Sequence, residues 1–205
     1  MRYISARQMV FDAYQALRGS VMAGAAEKAK LGADVQLSVK QNNDWRIVHG
    51  LEAGAVISCV EALPQHLRAL TLICFGPYTR DELAGDVEWL HLALYRVMLE
   101  RNVRCPGQGQ GRPTAEQLQQ LRWLCLAAIY HHSEATHPYH RAGLNTPRKL
   151  ANWLYDEHGV EVDVRFWTRS DRTTWGGVWE RILTALDDWE SQALGPVAAL
   201  IPQAA

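Results

Sequence analysis

The arginines near the end of the chain have the type and spacing needed to bind an anionic polymer. Arg165 and Arg169 are four residues apart, so a helix would place both on one face, and Arg172 follows about one turn later. Guanidinium groups bind phosphate oxygens and guanine edges through paired hydrogen bonds. Arg148 and Lys149 follow a predicted helix start, where unpaired backbone N–H groups also favour a phosphate. We therefore predict that these five residues contact DNA.

A helix-turn-helix is the element predicted to position these residues. Thr146-Pro147 predicts a capped helix from Pro147 to about residue 157, and Gly159 suits its C-terminal end. Residues 160–164 alternate between valine and an acidic residue, which fits a short strand, but a lone strand has no pairing partner. We therefore predict a second, reading helix over 162–170, of the kind that enters the DNA major groove.

A competing interpretation leaves the same arginines without a ligand. Asp163, Asp171 and Glu180 are close enough in sequence to pair with them on the solvated face of a helical hairpin. Gly159 also follows the small residue Ala151 by eight positions, whereas the turn of a compact helix-turn-helix comes after about four. The residues alone leave both interpretations open.

Four histidines lie close together in the second half of the chain. They are His131, His132, His137 and His140. Imidazoles at short spacing can bind zinc, and Cys105 or Cys125 are candidate companions. However, the chain lacks a CxxC pair and a second close pair of ligands, so a polar loop between helices is the favoured interpretation. We expect no metal and no other cofactor.

The segment 105–113 contains three glycines and two prolines and is predicted to carry no regular element. Its glycines superficially resemble a phosphate-binding loop. Such a loop needs a preceding strand and, for nucleoside triphosphates, a Lys-Ser/Thr ending, and neither is present. We predict a linker between a helical region at 1–104 and a helix-turn-helix-like region at 114–205.

Helical periodicity dominates the rest of the chain and predicts an all-α fold. Polar residues at capping spacing begin helices near Ser5, Thr79 and Thr114, and Pro64 separates two helices between 45 and 75. The first helix is predicted over about 6–18, and a long apolar stripe predicts another over about 80–101.

Tryptophans concentrate in the predicted closing helix, which begins near Thr174. Trp175, Trp179 and Trp189 share its apolar face, which is typical of a core, whereas Trp167 lies outside this stripe and is the candidate for exposure. No Gly-x-Ser-x-Gly motif is present, and the glutamates have the spacing of solvated helix positions. We do not expect an enzyme.

Composition limits the kinds of partner. The chain has 205 residues, of which 48% are hydrophobic, and its 21 basic and 22 acidic residues give a formal net charge of -1. DNA contact would therefore need a local basic patch, because the whole protein has no attractive field. No apolar stretch approaches the roughly 18 residues of a membrane span, and the first residues lack a signal-peptide pattern. We expect a cytoplasmic protein with no membrane partner.

The layout of the chain resembles the late-gene antiterminator Q proteins of lambda-like phages. The likeness rests on an Ala-rich helical first half, the Cys/Gly loop Arg104-Cys105-Pro106-Gly107-Gln108-Gly109, and a helix opening Thr174-Trp175-Gly176-Gly177-Val178-Trp179-Glu180-Arg181. The resemblance implies binding to promoter-adjacent DNA, followed by association with RNA polymerase that suppresses pausing and termination. The family's zinc site uses paired cysteines, of which this loop keeps only Cys105.

Two functional hypotheses follow. The first is a DNA-binding transcription regulator of phage or prophage origin, with DNA and RNA polymerase as partners. The alternative is a helical protein-interaction module, an adaptor or inhibitor without nucleic-acid binding. In that case the tryptophan-bearing faces and the helix from Leu83 to Val97 would form a homodimer or partner interface.

Overall fold

Helices are the regular structure throughout the residues that the computed structural model describes, which are 5–30, 44–135 and 141–201. In chain order they are α1 (Ala6–Lys30), α2 (Asp44–Glu61), α3 (Gln65–Phe75), α4 (Ala84–Glu100), α5 (Ala115–Ala135), α6 (Pro147–His158) and α7 (Trp175–Ala198). Within the described residues there is no strand, and the predicted all-α fold is confirmed.

Polar side chains fix the starts of α5 and α6 where the sequence predicts them, whereas the helix predicted to begin near Thr79 begins at Ala84. Before α5, Thr114 Oγ1 accepts the backbone N–H of Gln117 at 3.2 Å, and Gln117 Oε1 accepts the backbone N–H of Thr114 at 2.9 Å. Thr146 caps α6 by accepting the backbone N–H of Lys149. Gly159 ends α6 in the left-handed region with φ of 64°, a conformation that costs glycine little.

The first helix is longer than predicted. It was expected to end near residue 18 but continues through Gly19 to Lys30. The added segment is rich in alanine and lysine, which are strong helix formers and outweigh isolated glycines.

The closing helix α7 lies at the centre of the packing. It packs against α1, α2, α3 and α5, while α4 packs against α3 and α5. Trp175, Trp179 and Trp189 are buried as predicted, and regions 1–104 and 114–205 both contribute to the same hydrophobic core. None of the described helices has both the length and the apolar composition that crossing a bilayer requires.

A buried polar group joins α7 to the first and fifth helices. Glu190 of α7 is only 7% exposed, and its Oε2 lies 2.9 Å from Nε2 of His132. Its Oε1 accepts hydrogen bonds from Arg7, one of them 2.8 Å from Nε. Burial alone would raise the pKa of Glu190, but the hydrogen bonds from His132 and Arg7 outweigh it and hold the pKa below its ordinary value. The carboxylate is therefore held ionised inside the fold.

The predicted reading helix is not formed. After the left-handed Gly159, residues 160–164 run extended, a turn occupies 165–168, and the chain bends to Thr174 before α7 begins. Val160 and Val162 are buried while Glu161 and Asp163 are exposed, so the alternation noted above does place successive side chains on opposite sides. In place of a pairing strand, the Gln120 side chain donates a hydrogen bond to the Glu161 carbonyl at 2.7 Å. This extended segment removes the geometry needed for a helix-turn-helix.

Candidate nucleic-acid interface

Four arginines surround one cavity at the beginning of α7. The cavity has a volume of about 300 Å³, and we call it the arginine pocket. Its arginines are Arg104, Arg169, Arg172 and Arg181, and Ser170 and Thr173 add hydroxyl groups. Among the described residues that line it, none is acidic. The pocket thus concentrates positive charge on a protein whose formal net charge is -1.

The first turns of α7 form one wall of the arginine pocket. Thr174 caps the helix by accepting the backbone N–H of Gly177 at 3.2 Å. Arg181 lies one turn beyond Gly177, so helical spacing places both on the same side of α7. The positive end of the helix dipole also lies here, which adds a favourable field for an anion.

The loop after α4 brings Arg104 to the arginine pocket. Asn102 takes up a left-handed conformation with φ of 50°, which turns the chain at the end of α4. Val103 and Cys105 are both buried, whereas Arg104 between them is exposed. Because successive side chains of an extended segment point to opposite sides, burial of these two neighbours directs the Arg104 side chain outward.

Hydrogen bonds hold the following glycine-rich stretch in place. The backbone N–H of Cys105 donates to Gln108 Oε1 at 2.9 Å, and Gln117 Nε2 donates to the Pro106 carbonyl at 2.8 Å. The segment 105–113 contains no regular element, as predicted, but side-chain amides tie its first part to the start of α5. The Arg104 side chain therefore extends from a part of the backbone that these hydrogen bonds hold in place.

The segment before α7 supplies the remaining arginines. Nε of Arg169 lies 3.2 Å from one carboxylate oxygen of Asp171, and Nε of Arg172 lies 3.9 Å from the other. One carboxylate thus faces two guanidinium groups. Exposed pairs of this kind contribute roughly 0–1 kcal/mol, so a phosphate can compete with Asp171 for both arginines.

An exposed phenylalanine adjoins these two arginines. The guanidinium carbons of Arg169 and Arg172 lie 5.4 and 4.9 Å from the ring centroid of Phe166, within cation–π range. The neighbouring residue Trp167 was the predicted candidate for exposure. It is instead half-buried and packs near Trp179. Phe166 is the aromatic side chain that this turn presents to solvent.

Arg165 lies in a different environment from Arg169 and Arg172. It faces an open groove of about 550 Å³ whose lining includes four acidic residues. These are Glu116, Asp156, Glu161 and Asp163. Arg165 pairs with Asp163 at 3.0 Å, and its hydrogen bonds hold the pKa of that carboxyl below the ordinary value. The predicted shared face for Arg165 and Arg169 is therefore absent, because the backbone between them is a turn and not a helix.

The two basic residues predicted at the start of α6 also stand apart. Arg148 and Lys149 are exposed in the first turn of that helix, and neither belongs to the described lining of the arginine pocket. Lys149 Nζ donates instead to Asn145 Oδ1 at 3.1 Å. Of the five predicted DNA contacts, the structure brings together Arg169 and Arg172.

Arg104 and Arg181 were absent from the predicted set. Arg181 follows Thr174 by seven residues and Gly177 by four, which is the spacing of a single helix face and a signal available in the sequence. Arg104 carries no comparable local signal. Its position depends on how α4 and α5 pack, so only the folded chain reveals it.

The histidines do not assemble with the cysteines. His131 Nδ1 accepts the backbone N–H of Leu144 at 3.1 Å, and His132 faces Glu190. Burial raises the pKa of the Cys105 thiol, which disfavours the thiolate that zinc requires. His137 and His140 lie outside the described residues. Within those residues, no three His, Cys, Asp or Glu side chains are grouped closely enough to hold a metal.

Comparison with known proteins gives no further guide to this site. No protein-family model matches the chain, and neither the curated proteins nor the solved structures contain a significant match to it.

Proposed function

We propose that the protein is a DNA-binding transcription regulator that holds the DNA backbone at the arginine pocket. The observation that carries this proposal is the convergence of four arginines from three separate segments on one cavity. Guanidinium groups match phosphate oxygens in a two-pronged geometry, and they remain charged at every physiological pH. Because no helix is available to enter a groove at 162–170, the contact we propose is with phosphates and not with base edges.

Local charge, not net charge, would drive this binding. At a formal net charge of -1 the whole molecule attracts no polyanion, but the arginine pocket exposes several guanidinium groups, two of which face the carboxylate of Asp171. Displaced counterions contribute most of the free energy in such contacts, so the affinity should fall steeply with salt.

The resemblance to the antiterminator Q proteins supports the regulatory part of the proposal. Two of the sequence segments on which the resemblance rests each contribute an arginine to the arginine pocket: Arg104–Gly109 and Thr174–Arg181. We therefore propose a phage-type regulator, acting in the cytoplasm as an antiterminator with RNA polymerase as its protein partner. In this role the chain binds and does not catalyse.

Fluorescence anisotropy with a labelled 30-base-pair duplex tests the proposal across a series of KCl concentrations. The double variant Arg104→Ala/Arg181→Ala should lose roughly tenfold in affinity per arginine at low salt. It should also lower the slope of log Kobs against log salt by about 2.

The matched control is Arg148→Ala/Arg165→Ala, which removes the same charge from residues outside the arginine pocket. It should leave both affinity and slope near those of the unmodified protein. An equal loss in the two double variants would assign binding to overall charge, and no binding at low salt would rule out the proposed function.

A second candidate function is self-association through the outer face of α4, which one observation favours. Trp89 and Leu92 are exposed there beside a groove of about 420 Å³, and Arg96 and Glu100 continue the same face. The occupant we favour is a second copy of this chain. In a two-fold dimer the same patch of each copy would cover Trp89 and Leu92 of the other, so these exposed apolar side chains would be buried.

Sedimentation velocity tests this second candidate. Leu92→Asp should convert a dimer to a monomer, whereas Leu51→Asp, at an exposed position on α2, should not. A monomer at all concentrations, or a dimer that persists in Leu92→Asp, would exclude it. Since this contact is largely apolar, it should respond weakly to salt, unlike DNA binding.

A further inference from the structure

Phe166 has a surface position that its apolar character does not favour. The residue is 44% exposed, and it lies in the sequence between Arg165 of the acidic groove and Arg169 of the arginine pocket. Two arginines of that pocket also lie within 5.4 Å of the ring centroid. An exposed aromatic ring and phosphate-binding groups thus occupy one small area.

The surrounding backbone fixes this exposure. The Thr174 hydroxyl donates to the Trp167 carbonyl at 3.3 Å, and Trp167 packs near Trp179 in α7. Gly176 lies so close to the Trp167 carbonyl that a Cβ atom at this position would overlap it. The turn is therefore clamped onto the start of α7, with Trp167 directed inward and Phe166 outward.

The exposed ring suggests which form of DNA binds. A paired duplex presents base edges and phosphates, whereas the flat face of a base becomes accessible only when its strand is unpaired. Side chains that combine an aromatic face with neighbouring arginines bind single strands by stacking a base and holding the adjacent phosphates.

We infer that the arginine pocket and Phe166 together bind an unpaired stretch of DNA. One base stacks on Phe166, and the phosphates beside it bind Arg169 and Arg172. The inference rests on the proposed function and refines it by naming the form of DNA that is preferred. Locally unpaired DNA, such as the segment that is melted during transcription, is the ligand that would occupy this site.

The test compares two DNA probes of equal length and phosphate number at one salt concentration. One is fully paired, and the other carries a central bubble of mismatched bases. The unmodified protein should bind the bubble roughly 5- to 150-fold more tightly, which is the range expected for stacking of one base. Phe166→Leu should reduce this ratio to about one, because any effect on Arg169 and Arg172 applies to both probes alike.

Two control variants separate stacking from other effects. Phe166→Trp keeps an aromatic face and should retain the preference for the bubble. Tyr155→Leu removes an exposed aromatic side chain from the acidic groove and should also retain it. Circular dichroism melts of each variant should match the unmodified protein, since these side chains are at the surface.

The outcomes distinguish this inference from the proposed function. Equal binding of the two probes by the unmodified protein would overturn the inference and leave DNA binding in place. A bubble preference that survives Phe166→Leu would also overturn it, because another group would then recognise the unpaired strand. Failure to bind either probe at low salt would instead overturn the proposed function.

Discussion

The two ends of α7 use charged side chains in opposite ways. Toward its C-terminal end, Glu190 is 7% exposed and meets both His132 and Arg7. At its N-terminal end, the arginines of the arginine pocket are exposed, and two of them, Arg169 and Arg172, share the carboxylate of Asp171. We call the surroundings of Glu190 the buried end, where the charge is matched, and the arginine pocket the open end, where one sign is in excess.

This difference separates the charges that hold the fold from those available to a ligand. A carboxylate inside the core must keep its hydrogen-bond partners, because an unpaired charge there would cost several kcal/mol. Exposed guanidinium groups already have water and gain little from one shared acid. An acid-to-amide substitution should therefore damage stability at the first end and increase anion affinity at the second.

The largest expected effect is at the buried end. Glu190→Gln removes the charge that faces Arg7 and His132, so we expect a loss of about 2–4 kcal/mol in the free energy of unfolding. Urea denaturation followed by tryptophan fluorescence measures it. The control Glu100→Gln breaks an exposed pair with Arg96 and should cost less than about 0.5 kcal/mol. Similar losses in both variants would refute the contrast between buried and exposed pairs.

Gly176→Ala addresses the clamp that shapes the open end. The added Cβ would overlap the Trp167 carbonyl, so the turn must shift, at a cost of roughly 1–3 kcal/mol. Gly54→Ala in α2 meets open space and should instead stabilise by about 0.5–1 kcal/mol. Thermal melts compare the two variants. If Gly176→Ala were as stable as Gly54→Ala, the close approach of the turn to α7 would be wrong.

Lowering the pH should remove the contribution that the ionised Glu190 makes to the stability of the fold. The folded-state pKa of Glu190 is lowered, so its contribution to stability is complete above the pKa of the unfolded chain, about 4.3, and disappears as the pH falls through the folded value. Unfolding free energies measured between pH 6 and pH 3 should decline more in the unmodified protein than in Glu190→Gln. Parallel decline in both would assign acid sensitivity to other carboxyls.

The smallest effect is expected from Asp171→Asn at the open end. Removing the acid shared by Arg169 and Arg172 should raise duplex DNA affinity about two- to fivefold and change stability by less than about 0.5 kcal/mol. Asp163→Asn is the matched control, since it frees Arg165 in the acidic groove. Fluorescence anisotropy titrations compare the duplex DNA affinities of the two variants. A larger gain from Asp163→Asn would favour the predicted contact at Arg165 over the arginine pocket.

Sequence reasoning succeeded where the controlling interactions are local. The capping pair Thr114 and Gln117, the Thr146 cap and the left-handed Gly159 depend on neighbours within a few residues, and all three were predicted. The buried tryptophans of α7 follow from helical spacing in the same way.

It failed where distant residues decide. The segment 160–164 was assigned to a helix because a lone strand lacks a partner, but buried valines and the Gln120 side chain hold it extended instead. The arginine pocket likewise joins Arg104 to Arg181, which α5 and α6 separate in the sequence, so no local pattern could have predicted that these two arginines meet. The sequence named Trp167 as the candidate for exposure, but the exposed aromatic residue is its neighbour Phe166.

The link from Arg7 to Glu190 has a consequence for how the protein is made. It joins residues 183 positions apart, a distance that a ribosome covers in roughly 10 to 40 s. During that time Arg7 of α1 has no Glu190 to pair with. The arginine pocket also lacks one wall until α7 has been synthesised. A chain that terminated before α7 would therefore have neither the buried carboxylate of Glu190 nor a complete arginine pocket.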